Sequence, residues 1–356
     1  MQTPIATSAL SSRRLASRPP LYAALDLGTN NCRLMVAAPA GRGFRVVDSF
    51  SRTVRLGEGL ATSGRLGEAA MERALEALAV CADRLSRLRV RRLRAVATEA
   101  CRKAENGPRF LERVRAETGI VFEVIGPREE AELAVEACAS LLAGPEPRAL
   151  LFDIGGGSTE LAWIRAPRPG EPPSDVIGYA SIPLGVVTLA ERFGERAFER
   201  AGFEAMVEEA MVAFRPFDDI HCIADEIARG GVRLIGTSGT VTTVAGVALG
   251  LERYARALID GQTLSGEETD SALETLFSLG KAGLLAHPCV GPTRIEFVLP
   301  GCAVLSAIRR LWPAPKVTAA DRGLREGMLI RLIRADRARH PSGHVPARRF
   351  ARLRPA

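Results

Sequence analysis

The sequence predicts an α/β protein of two related domains, each a mixed sheet flanked by helices, with a cleft between them. A duplication carries that prediction. Residues 150–161 run from an apolar segment through Asp153 and the loop Gly155-Gly156-Gly157-Ser158 into a second apolar segment. Residues 25–34 repeat the layout, with Asp26, Gly28 and Leu34 at the spacing of Asp153, Gly155 and Leu161. Strand and helix patterns alternate after each copy, as in α/β folds. At 356 residues the chain is long enough for two cores.

Taken in order, strands are expected at 21–27, 32–38 and 44–50, a hairpin meander that argues for a mixed sheet. The spacing of Leu66, Ala70, Met71, Ala74, Leu75, Leu78, Ala82 and Leu85 predicts a helix over 66–88. A strand at 93–98, a helix over 108–118 stopped by Gly119, and a strand at 121–125 follow. A helix with an acid-rich first turn is expected over 129–142, and Gly144-Pro145-Glu146-Pro147 leads to the second glycine unit. Residues 165–173 read as a Pro-rich surface loop, 175–183 as a strand, and 186–193 and 203–214 as amphipathic helices. Residues 232–240 form a third strand and glycine loop, with Ser238 and Gly239 before a helix over 241–249, a place suited to an anion. Helices over 266–279 and 301–311, a strand at 316–319 and a closing helix over 324–334 complete the chain, Pro313 ending the second of them. We expect a first domain over 21–131, onto which a segment at 321–336 packs back, and a second over 132–320.

The formal charge of +7 is unevenly placed: residues 1–18 contribute +3 and residues 337–356 contribute +6, leaving −2 for the remainder. The basicity therefore belongs to two tails, 1–20 and 337–356, expected to be disordered and solvated rather than bound to nucleic acid. No apolar run is long enough to span a membrane, and the first residues lack the apolar stretch of a secretory signal. The seven cysteines are scattered without zinc-site spacing and read as buried free thiols of a cytoplasmic protein.

Three glycine loops converging on one cleft would surround a phosphate chain with backbone donors. An aspartate at each strand end would stand where a divalent cation meets that phosphate. The G-x-x-x-x-G-K-[ST] loop, the G-x-G-x-x-G fingerprint and the G-x-S-x-G elbow are all missing. Water activated by a carboxylate, with a cation and backbone N–H groups stabilising the phosphoryl charge, is the simplest chemistry these parts support.

Residues 25–31, 97–102, 126–131, 152–161, 236–240, 294–301 and 323–327 together resemble the exopolyphosphatase/guanosine pentaphosphate phosphohydrolase family. That family belongs to the superfamily of sugar kinases, heat-shock chaperone ATPases and actin, and the resemblance covers roughly residues 21–334. It implies two ribonuclease H-like (actin-like ATPase) domains and a phosphohydrolase acting on inorganic polyphosphate, on guanosine pentaphosphate, or on both. Glu130 matches the catalytic base, with Glu129 its adjacent rival, and Arg102 matches an arginine that contacts phosphate. Asp153 and Glu160, with Asp26 beside them, match the acids associated with a divalent cation, expected to be magnesium. Gly28, Thr29, Asn30, Asn31, Gly155, Gly156, Gly157, Ser158, Ser238 and Gly239 form the phosphate loops, and Arg33 and Arg294 match positions that contact phosphate or nucleotide.

Thr29 and Asn31 replace the serines of many members, and Pro127-Arg128 ahead of Glu129 is less usual. Longer members continue into a further helical module, so this chain resembles the short, two-domain form, of a kind that commonly pairs into homodimers. The alternatives are a small-molecule kinase of the same superfamily, for which no acceptor signature is present, and a catalytically idle nucleotide sensor, against which the presence of Glu130 and Asp153 argues.

Overall fold

The computed structural model describes residues 19–41, 43–167 and 175–339. The expected tails lie outside the described residues except for Pro19, Pro20 and residues 337–339, as do residues 168–173 of the Pro-rich loop. The first sheet holds β1 (Tyr22–Leu27), β2 (Asn31–Ala40), β3 (Gly43–Thr53), β4 (Arg92–Ala97) and β5 (Glu123–Val124) in the order β3-β2-β1-β4-β5. The second holds β6 (Arg148–Ile154), β7 (Thr159–Arg165), β8 (Asp175–Ile182), β9 (Val232–Thr237), β10 (Thr263–Ser265) and β11 (Lys316–Ala320) in the order β10-β11-β9-β6-β7-β8. Counted from β3 and from β8, the two sheets share one sequence of pairings: two antiparallel, then two parallel. The duplication in the sequence is thus a duplication of topology. The second sheet adds β10 as an antiparallel edge strand.

The central strands β1 and β6 are apolar along most of their length because both of their faces are covered. Ala23, Leu25 and Leu27 face a core shared with Ala74, Leu75 and Leu78 of the helix Glu68–Leu88. Leu150, Phe152 and Ile154 face the larger core built with the helices Arg200–His221 and Ile295–Leu311.

The other faces of the two sheets meet one helix, Pro127–Ala137. Ala131, Ala134 and Val135 pack on Leu151 and Ala162 of the second sheet. Leu133 packs with Tyr22 and Ala24 of the first sheet and with Met328 and Leu329 of the closing helix Leu324–Arg339. The expected domain division at 131/132 falls inside this helix. Its crossing with the closing helix is close, since a methyl group on Gly327 would lie 2.1 Å from the Leu133 carbonyl oxygen. The far end of the closing helix is tied down by Asp336, which accepts from the Tyr22 hydroxyl at 2.7 Å and from Arg91 at 2.8 Å.

Several boundaries differ from expectation, each for a physical reason. The helix expected at 301–311 begins at Ile295 and runs through Pro300, because Phe297, Val298 and Leu299 are buried and tertiary packing outweighs the break. The helix expected at 203–214 likewise extends over Arg200–His221 and contains Pro216. The helix expected at 129–142 starts two residues earlier, where Pro127 has the φ that a first helical turn needs, and it is interrupted at Cys138. The strand expected at 121–125 shrinks to Glu123–Val124 at the sheet edge. Arg337 and Arg339, read as tail, belong to the closing helix, and Arg337 donates to the Gly41 carbonyl at 2.9 Å. All seven cysteines are free, but Cys222 is exposed where expectation buried it, because it sits at the left-handed C-terminus of its helix.

The Gly327 crossing yields a test of how the helix Pro127–Ala137 is held. Gly327→Ala is expected to lower unfolding stability by about 1–3 kcal/mol. Gly126→Ala, where nothing lies within 4 Å of the added methyl, should stay within about 0.5 kcal/mol of the parent in urea denaturation.

Candidate active site

One cavity of about 770 Å³ opens where the two glycine hairpins meet. Asp26, Gly28, Thr29, Asn30, Asn31 and Arg33 line it from the first hairpin, and Asp153, Gly155, Gly156, Gly157, Ser158 and Glu160 from the second. Ser238, Gly239 and Arg294 line it from the third loop, and Glu130 from the helix between the sheets. Of the residues singled out from the sequence, Arg102 and the rival base Glu129 are off that wall.

Each hairpin closes in the same way, the Gly28 N–H donating to the Asn31 carbonyl and the Gly155 N–H to the Ser158 carbonyl, both at 2.9 Å. A second segment then takes up the loop carbonyls. Gly57 donates to Thr29, and Val54 and Arg55 to Asn30; Val186 donates to Gly155 and Val187 to Gly156. Among the described residues the N–H groups of Thr29, Asn30, Gly156 and Gly157 have no backbone acceptor. The loops therefore offer donors rather than acceptors, which is how a backbone binds an anion. The hairpins also touch. A methyl on Gly156 would sit 3.2 Å from the Cβ atoms of Thr29 and Asn30, so close approach across the cleft requires glycine there.

In the third loop, Ser238 holds a φ of +103°, a strained value for a side-chain-bearing residue, and its buried Oγ has no hydrogen-bond partner. Arg294 is pinned beside this loop through donation to the carbonyls of Val290 at 3.0 Å and Cys289 at 2.9 Å. Burial, with Arg33 nearby, draws its guanidinium below the usual arginine range.

The strand registers show where the two hairpins diverge. Asp26 lies opposite Arg33, whereas Asp153 lies opposite Glu160, so one half balances its aspartate and the other doubles the negative charge. Burial raises Asp26 above the usual aspartate range, with Arg33 and Arg325 opposing. Asp153 is raised to about 6, by burial first and then by Asp26. Glu160 is raised to about 7 by burial and by Asp153, although it accepts from Ser158 at 2.5 Å and Ser181 at 2.9 Å.

Glu130 is also mostly buried, and its Oε2 lacks a hydrogen-bond partner. Burial, Glu160, Asp26 and Asp153 push it well above the ordinary glutamate range, against the pull of Arg102. Arg102 Nη1 lies 3.5 Å from Glu130 Oε2 and donates to the Ile125 carbonyl at 2.8 Å. It stands behind Glu130 rather than on the cavity wall. Glu129 points away, paired with Arg94 at 2.6 Å and Arg331 at 3.8 Å.

Sequence reasoning gave no role to Glu99, Arg325 or Glu326, all on the cavity wall. They fall in stretches it had singled out, 97–102 and 323–327, but only the three-dimensional arrangement shows which side chains turn inward. Glu326 accepts from the Gly323 N–H at 3.0 Å and from Arg256 at 2.7 Å, fixing the start of the closing helix, and Arg325 sits beside it.

Fold and cavity together define a two-lobed α/β protein built to hold an anion beside a cluster of carboxylates. The Ppx/GppA phosphatase family model matches residues 35–335, and the chain belongs to that family. It is 30% identical over 320 residues to a protein named guanosine-5′-triphosphate,3′-diphosphate pyrophosphatase from Photobacterium profundum, a match covering 88% of this chain. The chain spans 59% of the length of that relative. The crystal structure of the Aquifex aeolicus Ppx/GppA family member is 26% identical with a TM-score of 0.69, over 89% of this chain and 98% of that one. An exopolyphosphatase-like protein of known structure is 27% identical with a TM-score of 0.77, over 88% of this chain and 97% of its own.

The raised carboxyl of Asp153 carries a stability consequence whose sign is fixed. Its folded value of about 6 exceeds the unfolded 3.8, so its stabilising contribution is full below about pH 4 and lost as pH rises through 6. Asp153→Asn should therefore stabilise the metal-free protein at pH 8 by on the order of 2–4 kcal/mol. In urea denaturation that gain should shrink below pH 6 and vanish near pH 4.

Proposed function

We propose that this protein is a phosphohydrolase that removes the terminal phosphate of inorganic polyphosphate, the 5′-phosphate of guanosine pentaphosphate, or both. The observation that carries the reading is the company Glu130 keeps. A mostly buried carboxylate whose Oε2 accepts no hydrogen bond shares a cavity with two donor-presenting hairpins and with Arg33, Arg294 and Arg325. The names of the relatives and the family membership support phosphoanhydride substrates.

The terminal phosphate would lie in the cavity beside the touching hairpins, held by loop N–H groups and by Ser238, since the Ser158 hydroxyl donates to Glu160. Glu130 Oε2 takes a proton from a water molecule as that water's oxygen bonds to phosphorus. The bond from phosphorus to the bridging oxygen breaks, and the shortened chain leaves with its electron pair. A carboxylate held well above the ordinary glutamate range is a stronger base for this proton transfer than an exposed one. Arg102, behind Glu130, acts as a positioning residue that favours the ionised form before water is bound.

The donor set fits magnesium. Asp26, Asp153 and Glu160 supply the hard carboxylate oxygens that this ion prefers, and their raised pKa values mark a place short of positive charge. Among the described residues no group of three or more His, Cys, Asp or Glu side chains is placed to hold a metal ion, so an ion here would take its remaining ligands from substrate phosphate and water. Asp153 and Glu160 would hold it, with Asp26 alongside. When bound, it would neutralise charge on the phosphates. No helix among the described residues is long and apolar enough to cross a membrane.

Glu130→Gln should lower kcat about 10²–10⁴-fold with little change in KM, measured as phosphate release from polyphosphates of several lengths and from guanosine pentaphosphate. Full activity in that variant would remove the proposed base. Because the base must be deprotonated, the acid limb of the parent's pH–rate profile should lie above the ordinary glutamate range.

A further inference from the structure

Glu99 has no place in the chemistry above, yet it is only 5% exposed, lines the same cavity and belongs to the first lobe. It opens the short helix Glu99–Lys103 that follows β4. One of its oxygens, Oε1, is paired with Lys103 one turn along. The other, Oε2, is buried and has no hydrogen-bond partner. That oxygen is directed across the cleft at the second lobe's glycine loop, where a methyl on Gly157 would lie 2.7 Å from it.

Glu160 is arranged in the same way from the opposite side. Its Oε1 is occupied by the hydroxyls of Ser158 and Ser181. Its Oε2 is turned to the same loop, where a methyl on Gly155 would lie 3.7 Å from it. Two carboxylates, one from each lobe, are thus each anchored by one oxygen while the other faces a single three-glycine loop. A bare carboxylate is the wrong neighbour for a phosphate on that loop, because like charges repel. It is the right neighbour for a cation carried by that phosphate.

We infer that Glu99 is the first lobe's ligand for the divalent cation, facing Glu160, so that cation binding ties the two lobes together over the glycine loop. This rests on the cation reading given under the proposed function. It also gives Lys103 a positioning role, because holding Oε1 leaves Oε2 as the ligating atom.

Manganese(II) titration of the full chain, followed by loss of the free-ion electron paramagnetic resonance signal, tests the assignment without relying on activity. The parent should bind the ion, and Glu99→Gln should weaken binding at least about tenfold, the loss that removing even an outer-shell partner produces. Glu99→Asp should fall between them and remains informative if the amide variant fails to fold in a parallel urea denaturation. Glu105→Gln, which removes an exposed acid of the same lobe paired with Arg65 at 2.7 Å, should bind like the parent. Parent-like binding by Glu99→Gln alongside loss of binding in Glu160→Gln would overturn the role of Glu99 and leave the cation reading standing. Equal weakening in Glu99→Gln and Glu105→Gln would overturn it as a general charge effect. A parent that takes up no manganese would overturn both.

Discussion

The structure depends on one electrostatic constraint: like charges are crowded side by side along the wall of one cavity. Burial raises Asp26, Glu130, Asp153 and Glu160, and on top of it Asp26 raises Asp153, Asp153 raises Glu160, and all three raise Glu130, while Arg294 and Arg325 are drawn downward by burial and by Arg33. A core built for stability alone would pair these groups or replace them with apolar ones. The buried atoms without hydrogen-bond partners make the same point, since Asn30 Oδ1, Glu99 Oε2, Glu130 Oε2 and Ser238 Oγ all belong to residues of this one cavity. Polar atoms left buried and unsatisfied are costly and therefore rare. Their concentration in one cavity supports the proposal that an anionic chain and its counter-ion complete the site.

The scaffold answers that constraint by duplication with one change of sign. Two sheets of matching topology each offer a hairpin whose carbonyls are engaged from behind and whose N–H groups are left for a ligand. Against this common frame, Arg33 and Glu160 occupy equivalent places opposite Asp26 and Asp153. Under the proposed function, one half would thereby serve phosphate and the other a cation. The helix Pro127–Ala137 packs on both sheets and carries Glu130 on its first turn, so the position of that carboxylate is set by the same contacts that join the halves.

Much of this was legible in the sequence because it rests on local rules. The Asp–Gly spacing, the helical period over 66–88 and the glycine stops are short-range signals, and the α/β class with its two mixed sheets followed from them. What escaped was set by tertiary packing. Pro300 and Pro216 read as breaks, but burial carries both helices through them. Arg102 matched a phosphate contact from the sequence, but its place beside Glu130, donating to the Ile125 carbonyl, could not be read from its own segment. Glu99 and Arg325 lay within stretches singled out from the sequence, but their inward direction follows from how the lobes close, which no single segment encodes.

The central claim is that the crowded cavity is the seat of the terminal phosphate, with Glu130 poised over the attacking water. A crystal structure of Glu130→Gln soaked with manganese(II) and tripolyphosphate addresses it most directly. The account predicts a terminal phosphorus in the cavity beside the Thr29–Asn30 and Gly156–Gly157 loops, manganese against Asp153 and Glu160, and residue 130 within hydrogen-bonding reach of a water in line with the scissile bond. Tripolyphosphate bound outside the cavity, or inside it with residue 130 on the side away from the terminal phosphate, would contradict the account.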